Sequence, residues 1–157
     1  MWPEPVQRVS SVLERAAVDA RIQEFPEGTP TAEDAARAVG CQLEQIVKSL
    51  VFVCDGDYAL ALVPGDRRAD AAKVAAAAGA EAARVARAEE VLAATGFEPG
   101  AVAPFPRVVG VVVMERMLLQ HGVVWIGAGS PSHMAALSPV DLQRLAGART
   151  ADLVARR

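Results

Sequence analysis

A mixed α/β fold, with a mixed β-sheet surrounded by helices, is the class this sequence predicts, and three observations predict it. Stretches of helical 3–4 apolar spacing alternate irregularly with short apolar runs. Two of those runs meet at Asp55-Gly56-Asp57, a strong hairpin signal. Other apolar runs are separated by helical segments, so hairpins mix with longer crossovers in one sheet. At 157 residues, the chain is expected to form one domain over residues 1–157, large enough to enclose a core without disulfides or a structural metal.

The elements follow in order. From Pro5 to Ala20 apolar residues recur at Val6, Val9, Val12, Leu13, Ala16, Ala17 and Ala20, the pattern of an amphipathic first helix. An extended piece, RIQEF, and the loop PEGTP lead to Thr31, placed to cap a second helix over Ala32 to Val39 that stops at Gly40. A turn at LEQI precedes the strand Val47 to Cys54, and the Asp-Gly turn returns the chain through the strand Tyr58 to Val63. Asp70 then caps a third helix that Gly79 ends, ARVA reads as a brief strand, and AEEVLAATG as a fourth helix. Thr95 to Pro106 carries two glycines and three prolines and is expected to be a shaped loop. VVGVVVM and VVWIG read as strands joined through ERMLLQHG, and GAGSPSH as a second glycine-containing loop before the apolar MAAL. Ser138-Pro139 opens the last helix with Ser at the cap and Pro at the first helical position, and ADLV reads as a final short strand.

Composition narrows the function classes. With 52% hydrophobic, 22% charged and 4% aromatic residues, the chain reads as globular, its core built from Ala, Val and Leu. A formal charge of −3 argues against gripping a long nucleic acid over the whole surface, so an anionic partner would have to meet a local patch. Cys41 and Cys54 lack a CxxC partner and fit small buried hydrophobes in a reducing compartment. The run Val108 to Met114 is about a third of the roughly 20 residues needed to span a bilayer. The N-terminus shows no basic region followed by an apolar one, so the expectation is a cytoplasmic protein with no membrane partner.

One residue stands out against this background. Lys48 opens the row Lys48, Leu50, Phe52 and Cys54 on one face of its strand, while Val47, Ser49, Val51 and Val53 occupy the other. A strand apolar on both faces is a covered one, so its cation belongs at an end, beside an opening. A buried ammonium without an anion would lose its proton or destabilise the fold. Two readings stay open on position alone. Lys48 either extends to solvent or pairs with a carboxylate such as Asp66, or it waits at the floor of a pocket for an anionic ligand.

The order of motifs carries more than any one of them. Lys48 in IVKSLVF, the PGDRRAD turn, the TGFEPGAVAPF loop and the late GAGSP...ALSPVDL together resemble the YbaK/ProX family of aminoacyl-tRNA deacylases, the trans-editing relatives of the insertion domain in bacterial prolyl-tRNA synthetases. The resemblance runs from about Arg21 to Val154. It implies an editing pocket on a mixed α/β fold with a curved mixed β-sheet, and hydrolysis of the ester joining a wrong amino acid to the terminal adenosine of tRNA. The partners it implies are the aminoacyl-tRNA acceptor end and a prolyl-tRNA synthetase; it implies no metal or organic cofactor. The sequence has two histidines, His121 and His133, and no cluster of ligands at zinc spacing.

Resemblance also nominates residues. Lys48 would meet the phosphate or ribose of the tRNA 3′ end, a task suited to a compact charge on a flexible stem. The loop holding Gly96, Phe97, Pro99 and Gly100 would let backbone groups approach a small substrate and hold the attacking water or the carbonyl oxygen, with Gly100 nearest the chemistry. A plain turn is the alternative for these glycines. Gly127, Gly129 and Ser130 would border the aminoacyl pocket, and Thr31 would line it. His133 would orient the water or the ribose hydroxyl, or else be an exposed loop histidine. Ala101 stands where some members have glycine, and Gly127 where the family carries a polar residue, both where the amino acid side chain would be sensed. Phe97 would offer a stacking surface for the terminal base, and Phe25 is either a second such surface or core. Arg67, Arg68, Lys73 and Arg107 are the candidate contacts to the acceptor stem, a weak and salt-sensitive grip in an acidic protein.

No protein nucleophile is required. The ester is already activated and a ribose hydroxyl of the substrate can assist, so positioning supplies most of the rate. The expected activity is therefore deacylation of a mischarged tRNA, Cys- or Ala-tRNA(Pro), in trans. A non-catalytic module binding tRNA or a small anion, and a small-molecule esterase using the same pocket, are the competing readings.

Overall fold

The computed structural model describes residues 2–106 and 109–156. Its first helix, α1 (Glu4–Arg15), buries Val6, Val9 and Leu13 and ends one turn earlier than the apolar spacing predicts. Ala17 takes a φ of +53° and the Val18 amide closes back onto the Leu13 carbonyl at 3.3 Å, so the later alanines leave the helix. Strand β1 (Arg21–Glu24) follows, then α2 (Ala32–Val39), capped by the Thr31 side chain on the Asp34 amide and stopped by Gly40 in the left-handed region. A 3-10 turn over Leu43–Gln45 delivers the chain into β2 (Val47–Cys54), whose hairpin partner is β3 (Asp57–Pro64).

The remainder is α3 (Ala71–Ala78), β4 (Ala83–Val85), α4 (Ala88–Thr95), β5 (Val111–Glu115), a 3-10 turn over Arg116–Gln120, β6 (Val124–Ser130), β7 (His133–Leu137), α5 (Pro139–Ala146) and β8 (Arg149–Ala151). The expected caps are present: Asp70 accepts from the Ala72 and Lys73 amides, and Ser138 from that of Asp141. Four stretches differ from expectation: VVGVVVM, whose Val108 lies outside the described residues, is strand only from Val111, and three others follow. GAGSPSH is a tight hairpin, because β6 continues through Ser130 and β7 begins at His133, with a register shift between Gly127 and Ser130. The apolar MAAL is therefore strand. The last strand lies at Arg149–Ala151, so ADLV only begins in it, through Ala151 opposite Glu115, and Val154 adds an isolated bridge to Ala69.

The strands divide between two sheets. Five run in the order β4-β2-β3-β5-β8, antiparallel about β2 and parallel where β3 meets β5 and β5 meets β8. Three run β1-β7-β6, all antiparallel. A single parallel bridge, Ile46 to Trp125, links the start of β2 to β6. The alternation in β2 sends Val47 and Val51 into a core shared with α1, β6, β7 and α5, and Phe52 and Cys54 into a second core against α3 and the C-terminal Leu153 and Val154. Both faces of β2 are thus covered, and Lys48 lies at the end of the second, where that cover stops.

Sheet and helix meet closely at Gly129. Its φ is +101°, and a Cβ there would stand 2.8 Å from the Pro5 carbonyl oxygen of α1. Gly129→Ala is expected to lower stability by about 2–4 kcal/mol, combining a left-handed backbone with a backbone clash. Gly79→Ala, at φ +76° with open space around it, should cost about 1 kcal/mol by the same logic. Equal shifts in the thermal unfolding midpoint of the two variants would contradict the clash.

Candidate functional site

Beside the linkage between the two sheets lies a cavity of about 300 Å³. Four separate stretches build it: the Thr29–Ala35 approach to α2, the first residues of β2, the loop at Gly100 and Val102, and the hairpin of β6 and β7. Its apolar wall includes Ala35, Ile46, Val47, Leu50, Val102 and Met134, and its polar lining residues are Thr29, Thr31, Lys48, Ser49, Ser130 and His133. Several residues nominated from sequence meet here: Thr31, Lys48, Gly100, Gly127, Ser130 and His133 all line it.

Lys48 is half-buried, and its Nζ donates to the main-chain carbonyl of Arg67 at 2.5 Å. No carboxylate lies within ion-pair distance of it among the described residues; Asp66 and Glu33 act on it only through space. Burial pushes its pKa below the ordinary 10.5, and nearby Arg68 pushes the same way, while the fields of Glu33 and Asp66 oppose them. A carbonyl partner leaves the ammonium's full charge available to an incoming anion.

His133 is the first residue of β7 and 2% exposed, which sets aside the exposed-loop reading. Its Nδ1 lies 2.5 Å from the Ser130 hydroxyl, and its Nε2 lies 3.7 Å from the Glu24 carboxylate. The Trp2 ring meets it edge-on at 5.7 Å. Ser130 in turn accepts the Ser132 amide at 3.1 Å, so the hairpin turn orients hydroxyl and imidazole together. Gly100 reaches the cavity at a φ of +84°, after a turn closed by the Ala101 amide on the Glu98 carbonyl at 2.9 Å. Gly127 is pressed against the same loop, for a Cβ there would lie 3.2 Å from the Val102 carbonyl oxygen.

The other nominated residues lie outside the lining. Phe25 is half-buried and packs with Ala35, Ala36, Ile46 and Met134, behind the cavity wall. Phe97 is core, 1% exposed, with the Arg8 guanidinium 5.0 Å from its ring centre. Gly96 caps α4, Pro99 is exposed, Ala101 is buried and Gly129 backs onto α1. Thr31 lines the cavity while its hydroxyl is engaged with Asp34. Of the stem candidates, Arg68 is exposed near Lys48, Arg67 and Lys73 are bonded to the C-terminal tail, and Arg107 lies outside the described residues.

Sequence reasoning missed three contributors. The Ser49 hydroxyl lines the cavity, buried and with no hydrogen-bond partner among the described residues. Only its parity, on the opposite face from Lys48, hinted that the cavity wraps both sides of the strand end. Glu24 and Trp2 reach His133 from segments whose patterns speak only of edge strand and chain terminus.

A family model described as the aminoacyl-tRNA editing domain matches residues 26–145, which span every wall of the cavity. The chain belongs to the aminoacyl-tRNA editing domain family. Among individual relatives, it is 33% identical over 127 residues to the uncharacterized protein YwhH of Bacillus subtilis (strain 168), covering 77% of this chain and 78% of that protein. It is 35% identical over 91 residues to the proline–tRNA ligase of Xanthomonas oryzae pv. oryzae (strain MAFF 311018), covering 57% of this chain and only 16% of that enzyme. A crystal structure of a proposed trans-editing enzyme for prolyl tRNA synthetase superposes with a TM-score of 0.89 at 36% identity, over 99% of this chain and all of the other. The crystal structure of hypothetical protein APE2540 gives 0.86 at 30%, covering 94% of this chain and 99% of that one. Within the editing domain no group of three or more His, Cys, Asp or Glu is placed to hold a metal ion among the described residues, and no helix there is long and apolar enough to cross a membrane.

The lowered pKa of Lys48 has a definite sign in stability. Between its folded value and the unfolded 10.5 the unfolded chain binds more protons, so stability from this residue rises with pH across that window and is flat below it. Wild type should therefore gain on Lys48→Met in thermal unfolding as pH climbs from neutral toward 10.5. A difference that stays constant or shrinks over that range would contradict the burial.

Proposed function

We propose that this editing domain hydrolyses the ester of a mischarged tRNA in trans, with Cys- or Ala-tRNA(Pro) as substrate. The observation that carries this reading is the meeting of one cation and two glycine-bearing backbone segments at a small, largely apolar cavity. A volume of about 300 Å³ walled by Ala35, Val47, Val102 and Met134 suits a small uncharged side chain, such as a methyl or a thiol. The terminal adenosine would remain at the mouth, where Lys48 pairs with its phosphate. Likeness to proline–tRNA ligases and to the trans-editing structure favours tRNA(Pro), with a prolyl-tRNA synthetase as the source of the error.

In this mechanism the protein supplies placement. Lys48 fixes the 3′ end, and the main chain about Gly100 and Gly127 approaches the ester closely enough to hold water or the carbonyl oxygen. A water adds to the ester carbonyl, and its proton is relayed through the neighbouring ribose hydroxyl to the departing ribose oxygen, which leaves as a hydroxyl. The acyl carbon–oxygen bond then breaks to give free amino acid and tRNA. The Ser130–His133 pair, held rigid by the hairpin, fixes the polar side of the cavity where water or the ribose hydroxyl would lie.

Tested on a panel of misacylated tRNAs, the purified protein should release Ala or Cys from tRNA(Pro) and leave Pro in place. Lys48→Ala should lower kcat/KM about 100-fold, roughly 2.7 kcal/mol of transition-state binding. Retention of uncharged tRNA with no turnover of any charged one would replace this reading with a binding module, and turnover of simple aminoacyl esters without tRNA preference would replace it with a general esterase.

A further inference from the structure

The turn that receives Lys48 owes its shape to the C-terminal end of the chain. Residues 65–70 link β3 to α3, and a second segment is zipped along them. The Ala155 amide donates to the Arg68 carbonyl and the Asp70 amide to that of Leu153, both at 2.8 Å, with Ala69 and Val154 bridged antiparallel. The Arg67 side chain crosses this seam. Its Nη2 donates to the Ala155 carbonyl at 2.8 Å, and its Nη1 rests 3.5 Å from the Met117 sulfur.

Beneath the seam sits Glu115, a carboxylate only 1% exposed. One oxygen accepts the Leu153 amide at 2.7 Å and the other the Met117 amide at 2.8 Å. Both are charge-assisted bonds in a dry setting, where a lost partner is expensive. The tail is therefore anchored below by Glu115 and clasped above by Arg67, and Lys73 Nζ adds a bond to the Val154 carbonyl at 2.8 Å. The carbonyl on which Lys48 rests belongs to Arg67 itself.

We infer that Arg67 is a positioning residue for Lys48: its guanidinium, clasped to the Glu115-anchored tail, fixes the carbonyl that holds the ammonium at the cavity. Arg67 then works within the molecule, where sequence alone had offered it to RNA. Only the predicted change in rate rests on the proposed deacylation; the placement of the amine does not.

The chain has two lysines, Lys48 and Lys73, so amine labelling followed by peptide mapping reads Lys48 directly. In Arg67→Ala, Lys48 should be labelled several-fold faster, and kcat should fall about 10- to 100-fold with KM little changed. Arg67→Lys, which keeps a donor for the Ala155 carbonyl, should restore most of both. Arg67→Gln, retaining bulk over the seam, is measured in parallel and should move in the same direction as the alanine variant, so a misfolded Arg67→Ala leaves the question decidable. A folded Arg67→Ala or Arg67→Gln whose Lys48 labelling matches wild type would overturn the inference. If wild type deacylates nothing, the proposed activity fails alone, and the labelling comparison still decides the role of Arg67.

Discussion

An ammonium set into the end of a strand that is apolar on both faces is the constraint around which this molecule is arranged. β2 is covered by one core against α1 and the small sheet and by another against α3 and the C-terminal residues. Neither could accept a bare charge. The only place for Lys48 is where both cores stop, and there the structure supplies a carbonyl in place of an acid. A carboxylate would have neutralised the cation; a carbonyl holds it still and leaves it charged. Partial burial then makes an arriving phosphate more valuable than it would be at an open surface.

The rest of the site follows from bringing distant segments to that strand end. The bridge between Ile46 and Trp125 joins the two sheets beside Lys48, so the β6–β7 hairpin faces it with Ser130 and His133. Gly129 lets that hairpin lie against the start of α1, and the turn at Glu98–Ala101 brings Gly100 to the opposite wall. Together these contacts hold a polar pair, a cation and two stretches of accessible main chain around about 300 Å³.

Much of the fold was legible because local signals were strong. Thr31, Asp70 and Ser138 cap the helices they were expected to cap, and Asp55-Gly56-Asp57 turns the central hairpin. The late hairpin was not legible as strand, since Gly127, Gly129 and Ser130 are turn formers by propensity, and the close approach of β6 to α1 and β7 carries them into the strand while Pro131 makes the turn. The same tertiary effect buries His133, which local sequence could equally have left in solvent. At the site, the order of motifs pointed to Lys48, Gly100 and Ser130, but not to Ser49 or Glu24, whose relevance depends on which face of a strand meets the cavity. Arg67 and Lys73 looked like free cations because a tail some 80 residues away in sequence supplies their partners.

In the function proposed above, the ammonium of Lys48 receives the phosphate of a tRNA end. NMR titration of its side chain, resolved easily in a chain with two lysines, tests this most directly. Adding a non-hydrolysable aminoacylated CCA trinucleotide should raise the Lys48 pKa from its lowered value toward or beyond 10.5, leaving Lys73 unchanged. A saturating complex in which Lys48 titrates as it does in the free protein would contradict the claim.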